Sequence, residues 1–404
     1  MSLYSTLIRP LLFQLDAETA HHGTVEACRI AGALPFVPQI TRACLEFKAP
    51  ELQCEAAGLR FDHPIGLAAG WDKSARALRM LDHLGFAFAE IGSISAQPSQ
   101  GNPKPRLFRL PQDQAIIVNY GLPNEGAEII APRLSAHRMR IPLGVNIVKT
   151  NYGPGAPACS DDAILADYQR SVSLVHRHAG YLMLNLSCPN AAGGKDFFAQ
   201  PGNITRLLQL LKALDIACPV FLKVAPRDDP AEHERLLSET DAFDFARGFS
   251  FNLPPGKPAT VRLTAPRSEW EQLPGAVSGK PVEDLINRCI SGLATRMNRQ
   301  RHVIIGSGGV FTEGSTAMTA RKAAMNAEPP RIRIGAGFST LWIWLTVTVK
   351  ITKVAASSML AFWSAIWLSW YWICWAVRMR YTPSDAKVWP GPGTSSIITA
   401  PQVP

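Results

Sequence analysis

The 404-residue chain is 47% apolar and 18% charged, which excludes a disordered protein and leaves ample material for one large core. Its formal charge of +9 is scattered, with short clusters at Lys104 to Arg109, Arg296 to Arg301 and Arg378 to Arg380 that do not alternate with aromatics, so no nucleic-acid partner is expected. The eight cysteines form no Cys-x-x-Cys pair and no zinc-like spacing with His, so no metal site is expected; no secretory leader is evident, and a reducing compartment is the default.

The first forty residues read as two short amphipathic helices. Leu3, Leu7, Ile8, Leu11, Leu12 and Leu15 form one apolar stripe, and Thr24 to Ala31 begin the second helix. Packing on the core is the commoner fate of such a stripe; the alternative is an interfacial helix dipping into a bilayer surface, which Tyr4, Arg9 and Phe13 permit. From residue 58 to 311 short apolar runs recur between amphipathic stretches, the pattern of parallel strands joined by crossover helices. Candidate strands are Ile65 to Ala68, Phe86 to Ile91, Leu143 to Ile147, Tyr181 to Leu186, Val220 to Val224, Gly248 to Asn252 and Val303 to Ile305. These seven fit a barrel or a doubly wound sheet, and an eighth is not evident. After Thr312 the texture changes into Phe338 to Val349 and then Val354 to Val377, 24 residues without a charge. That length suffices for a bilayer, at about 20 residues per crossing, although Trp363, Trp367, Trp370, Trp372 and Trp375 sit where spanning helices rarely place tryptophan. Thr382 to Pro404 is Pro- and Ser/Thr-rich and reads as disordered. Two readings of the tail stay open: an appended membrane segment, or a reading frame that slips near Thr312.

Three constellations carry chemistry. Asn185-Leu186-Ser187-Cys188-Pro189-Asn190 directly follows the strand from Tyr181, and the carboxyl ends of barrel strands face the active site. A thiol after a strand is more often structural, but two flanking asparagines could hold a flat ligand while the thiolate removes a proton. Gly66-Leu67-Ala68-Ala69-Gly70-Trp71-Asp72-Lys73 ends the first strand; its small residues allow backbone to approach a planar cofactor, and Lys73 either meets a carboxylate or is simply solvated. Gly306-Ser307-Gly308-Gly309 ends the seventh strand, where barrels commonly bind phosphate.

Together these stretches resemble the dihydroorotate dehydrogenases, from about Tyr4 to Phe311. The resemblance implies a (β/α)8 TIM barrel, an α/β fold with an N-terminal helical extension, and FMN as cofactor. It places Ala68, Ala69, Ser93, Asn146, Asn185, Lys223, Gly279 and Gly309 on FMN, and Lys73, Leu122, Asn185, Asn190 and Asn252 on the substrate. Cys188 takes the catalytic-base position, removing a proton from C5 of dihydroorotate as hydride leaves C6 for the flavin. Phe13-Gln14-Leu15-Asp16, Ala20-His21 and Lys104-Pro105-Arg106-Leu107-Phe108-Arg109 resemble the membrane-associated, quinone-linked class, which sets His21 and Arg109 at the quinone head group. Outside the family, His21 reads as a helix-surface histidine and Arg109 as a solvated charge.

The expected layout is an extension over residues 1–40 that forms a quinone tunnel, an FMN barrel over 41–337, and a hydrophobic tail over 338–404. The expected role is oxidation of dihydroorotate to orotate in pyrimidine biosynthesis, at the cytoplasmic face of the cell membrane. Three stretches depart from the family. The quinone-linked class has serine where this chain has Cys188; Val118-Asn119-Tyr120-Gly121-Leu122-Pro123-Asn124 replaces the usual Asn-Arg-x-Gly-Phe-Asn; and the eighth-strand phosphate turn is not recognisable, with Ile334-Gly335-Ala336-Gly337-Phe338-Ser339 a weak substitute. Two other readings therefore stand beside the first: a flavin enzyme of the same fold acting on another pyrimidine, and a membrane-tethered remnant that holds no flavin.

Overall fold

The structure is a computed structural model, and it describes residues 9–46, 48, 50–187, 197–307 and 396–400. Three helices come first: α1 (Arg9–Leu12), α2 (Ala17–Ala33) and α3 (Val37–Leu45). A hairpin of β1 (Cys54–Ala56) and β2 (Leu59–Phe61) leads to β3 (Ile65–Leu67), α4 (Leu78–Leu81), β4 (Ala89–Ile94), a second hairpin of β5 (Leu107–Leu110) and β6 (Ala115–Val118), and α5 (Ala127–Ala136). Then follow β7 (Leu143–Ile147), α6 (Asp161–Val175), β8 (Tyr181–Asn185), α7 (Asn203–Lys212), β9 (Val220–Val224), α8 (Pro230–Thr240) and β10 (Ala246–Phe251). The chain continues through α9 (Arg267–Trp270), β11 (Ala276–Gly279), α10 (Glu283–Ala294) and β12 (Val303–Gly306), and β13 (Ser396–Ala400) comes last.

Strands β3, β4, β7, β8, β9, β10, β12 and β13 close a parallel barrel in that order. The missing eighth strand is thus β13, which pairs Ile304 with Ser396 on one side and Ile398 with Ile65 on the other. This corrects the expectation of disorder for these five residues, whose central Ile397-Ile398-Thr399 is β-branched and suits a pleated surface. Ile334 to Ser339 lies outside the described residues, as do Val354 to Val377. Among the described residues no helix is long and apolar enough to cross a membrane.

Alternation along each strand sorts the side chains into two environments. On β8, Leu182 and Leu184 join the core beneath the outer helices, while Tyr181 and Met183 point into the barrel; on β9, Val220, Leu222 and Val224 face out and Phe221 faces in. The inward residues nearest the strands' amino ends are apolar, and the β1–β2 hairpin covers that end with Ala56 and Phe61 packed on Phe88, Tyr181, Phe221, Val303 and Ile305. Two residues further along the same faces the side chains turn polar, at Asn146, Asn185 and Lys223. The interior thus has an apolar floor and a polar mouth at the strands' carboxyl ends.

The N-terminal helices differ from expectation. Helix α2 begins at Ala17 and not near Thr24, because Asp16 caps it by accepting from the Thr19 amide at 2.9 Å. Leu11 and Leu15 are 65% and 48% exposed, so the described end of the leucine stripe does not pack on the core. Ile30, Leu34, Phe36 and Ile40 extend the exposed apolar surface across α2 and α3.

Candidate active site at the barrel mouth

Four strands bring one hydrogen-bonded set together at the mouth. The Ser93 hydroxyl on β4 donates to Asn146 Oδ1 on β7 at 2.5 Å, and Asn185 Nδ2 on β8 donates to Ser93 Oγ at 3.2 Å. Asn252, just after β10, donates from Nδ2 to Asn185 Oδ1 at 2.8 Å. All four residues are buried, and an unmatched amide there costs about 1–3 kcal/mol, so each partner constrains the next. Lys223 is buried beside them, in register with Asn185 on one side and Ser250 on the other. The Tyr168 hydroxyl donates to the Asn185 carbonyl at 2.6 Å and fixes the end of β8 from the helix side. Ala68 and Ala69, both buried, continue from β3 into the turn at Gly70, whose amide donates to the Gly92 carbonyl at 2.9 Å. Small side chains on this rim leave room for a planar group to approach the backbone.

Lys73 stands on the loop after β3. The Asp72 carboxylate shapes that loop by accepting from the amides of Ser74, Arg76 and Ala77 at 3.2, 2.9 and 2.8 Å. The Lys73 ammonium donates to the Gly70 carbonyl and lies 4.0 Å from the centre of the Tyr120 ring. The protein around it pulls its pKa down to about 7 through desolvation, against the pull of Glu18 and Asp72, with Arg106 adding to the depression. The Arg106 guanidinium is 4.7 Å from the same ring and forms a two-pronged ion pair with Glu18 of α2, Nε to Oε2 at 3.0 Å and Nη2 to Oε1 at 2.6 Å. Its Nη1 donates to the carbonyls of Gln100 and Asn102 at 2.7 and 2.8 Å. This buried pair stitches the helical extension to the barrel.

His21 and Arg109 occupy the same seam. His21 is buried, edge-on to Tyr120 with ring centres 6.2 Å apart, which corrects the plain reading of a surface histidine. Arg109 on β5 donates to the Leu15 carbonyl at 2.8 Å and lies 4.8 Å from the Phe13 ring, so it is not a freely solvated charge. The other expected residues stand on other elements. Gly279 ends β11 in the separate three-stranded sheet with β5 and β6, at φ 102°, where a side chain would run into the Gln114 carbonyl. Leu122 takes φ 62° and packs against Val148. Cys188, Asn190 and Gly309 lie outside the described residues. In the altered loop, Asn119 accepts from Asn102 at 3.0 Å and Asn124 spends both ends of its amide on Ser95, Leu122 and Gly126, so both asparagines tie the loop to the segment between Ser95 and Asn102.

The sequence reading missed Glu18, Arg106 and Tyr120 as an organising cluster, since nothing local pairs residues so far apart. It also missed Glu90, although a carboxylate inside the apolar run Phe86 to Ile91 is a visible anomaly.

Residues 51–324 match the family model described as dihydroorotate dehydrogenase. The chain belongs to the dihydroorotate dehydrogenase family. The match runs past Phe311, where the motif-based resemblance ended. A relative from Natronomonas pharaonis named dihydroorotate dehydrogenase (quinone) is 34% identical over 329 residues, 80% of this chain and 87% of its own length. One of the same name from Mycobacterium tuberculosis is 34% identical over 306 residues, covering 76% and 82%. Among solved structures, the ligand-free dihydroorotate dehydrogenase of Eimeria tenella superposes with a TM-score of 0.64 at 28% identity, covering 76% of this chain and 87% of that one. The family is flavin-dependent. The mouth fits such a group on its own chemistry: a buried lysine, a hydroxyl and three amides suit a flat, hydrogen-bonding ring that gains negative charge, and Ala68 and Ala69 leave it space.

Proposed function

We propose that the chain oxidises dihydroorotate to orotate in pyrimidine biosynthesis, with FMN as cofactor and a membrane quinone as final acceptor. The observation that carries this reading is the linked set Ser93, Asn146, Asn185 and Asn252 beside Lys223 at the mouth of a family barrel. Bound FMN supplies a two-electron acceptor that no side chain can replace. Ala68, Ala69, Ser93, Asn146, Asn185, Lys223, Gly279 and Gly309 hold it, with Lys223 placed to stabilise negative charge. Lys73, Asn185, Asn190 and Asn252, with Leu122 beside them, orient the substrate, the lysine meeting its carboxylate. Cys188 removes the C5 proton as base.

His21 and Arg109 receive the quinone at the seam under the helical extension. The exposed Leu11, Leu15, Ile30, Leu34, Phe36 and Ile40 support a peripheral position on the cytoplasmic face of the cell membrane, where such residues enter the headgroup boundary. The test is steady-state oxidation of dihydroorotate with a short-chain ubiquinone, fumarate or NAD as acceptor. The quinone is expected to be the efficient acceptor, and His21→Ala to raise the quinone KM while leaving the dihydroorotate KM unchanged. Turnover with fumarate or NAD and none with quinone would overturn the class; turnover with another pyrimidine and none with dihydroorotate would overturn the substrate.

A further inference from the structure

Glu90 sits on β4 inside the barrel, buried between the apolar floor and the polar mouth. In register it faces Gly144 of β7, which in turn pairs with Tyr181 of β8. A side chain at Gly144 would overlap the Tyr181 ring, so the glycine lets the tyrosine hydroxyl cross to Glu90 Oε2, 3.1 Å away. The other carboxylate oxygen, Oε1, accepts from Asn146 Nδ2 at 2.8 Å. Both oxygens of Glu90 are therefore spent accepting.

An asparagine amide is nearly symmetric in shape and opposite in chemistry at its two ends, so a neighbour must decide which end points where. With its NH2 drawn to Glu90, Asn146 turns Oδ1 toward the mouth, where the Ser93 hydroxyl donates to it. Ser93, having given its proton, accepts from Asn185 Nδ2, and Asn185 presents Oδ1 to Asn252 Nδ2. Every donor in the chain Asn252, Asn185, Ser93, Asn146 points back toward one carboxylate. Reversing the first link would set like groups against each other along the chain, because the far end is held too: Asn252 Oδ1 accepts from the Leu253 amide at 2.9 Å.

We infer that Glu90 is a positioning residue that sets the donor–acceptor sense of the mouth, and through it the way Asn146, Asn185 and Asn252 meet flavin and substrate. This rests on the proposed function, because it assigns those asparagines to the ligands. Glu90 acts through Asn146, the member of the mouth set from which it accepts.

The test compares Glu90→Leu, which removes the acceptor, with Glu90→Gln, whose Oε1 can still accept from Asn146 while its amide donates to Tyr181. Purified proteins are assayed for the dissociation constant of FMN and, per bound flavin, for the kcat and KM of dihydroorotate. Glu90→Leu is expected to weaken FMN or raise the dihydroorotate KM by about tenfold, the worth of one misdirected hydrogen bond, and Glu90→Gln to stay within about threefold of the parent protein. A merely structural Glu90 would lower the thermal midpoint of Glu90→Leu but leave FMN affinity and KM of the folded fraction unchanged, and that result overturns the inference. If Glu90→Leu does not fold, Glu90→Met, of similar length but without a carboxylate, is compared with Glu90→Gln in the same assays. FMN affinity or dihydroorotate KM about tenfold worse than in Glu90→Gln supports the inference, and equal values overturn it. Parent protein that binds FMN but is not reduced by dihydroorotate would instead fail the proposed function, with the FMN affinities still reporting on Glu90.

Discussion

Replacing Glu18 by Gln breaks the link between the helical extension and the barrel without changing side-chain shape. Both partners are nearly sealed, with Arg106 and Glu18 side chains 6% and 5% exposed, so the variant leaves a guanidinium buried without its counter-charge. Burial alone would push the Glu18 carboxyl up; the hydrogen bonds and charge of Arg106, helped by His22 and Lys104, outweigh it and hold the pKa at about 2 against 4.5. At about 1.4 kcal/mol per unit that difference is worth about 3 kcal/mol, at the lower edge of the about 3–5 kcal/mol lost when one partner of a buried pair is removed. Because the folded-state pKa is depressed, this stabilisation is present above about pH 4.5 and fades as pH falls toward 2. Denaturant unfolding at pH 7 should show Glu18→Gln less stable by about 3 kcal/mol, the gap closing between pH 4.5 and 2, and Glu18→Gln/Arg106→Met recovering most of the loss. A deficit under about 1 kcal/mol at pH 7, or one independent of pH, would refute the reasoning.

Lys73, with its pKa near 7 in the free protein, should make kcat/KM for dihydroorotate fall about tenfold per pH unit above 7, as the ammonium that meets the carboxylate is lost; a level profile from pH 7 to 9 would contradict that role. Gly144→Ala drives a methyl into the Tyr181 ring and should cost about 1–3 kcal/mol in denaturant unfolding. Gly23→Ala on α2, where a side chain meets nothing within 4 Å, should instead add about 0.5–1 kcal/mol, and similar effects at the two sites would show that the inward packing is looser than described.

The sequence made the barrel legible wherever a strand's outward face is apolar throughout. Leu143–Ile147 and Val220–Val224 form as expected from end to end, because outward Leu143, Val145, Ile147, Val220, Leu222 and Val224 read as burial even though Asn146 and Lys223 face the barrel. Strand β4 slides from the expected Phe86 to Ile91 to Ala89–Ile94, because Phe88 is spent on the barrel floor while Gly92 and Ser93 at the mouth look like loop residues. Gly279 entered only through the family resemblance, as an FMN position; its φ of 102° and the antiparallel sheet that holds it were not legible. The tail strand carried the local signal of Ile397 and Ile398 without any sign of its partners, since pairing with β3 joins the two ends of the chain. The mouth was read from motifs at the strand ends, whereas Glu90 and the cluster of Glu18, Arg106 and Tyr120 depend on contacts across the barrel that no local spacing encodes.

The most direct test of the account is anaerobic addition of dihydroorotate to the purified full-length chain while its flavin absorbance is followed. About one FMN per chain is expected, bleached by one equivalent of dihydroorotate, with bleaching lost in Lys73→Gln at the same substrate concentration. A chain that purifies without flavin and takes up none, or whose flavin keeps its colour with dihydroorotate, would contradict it.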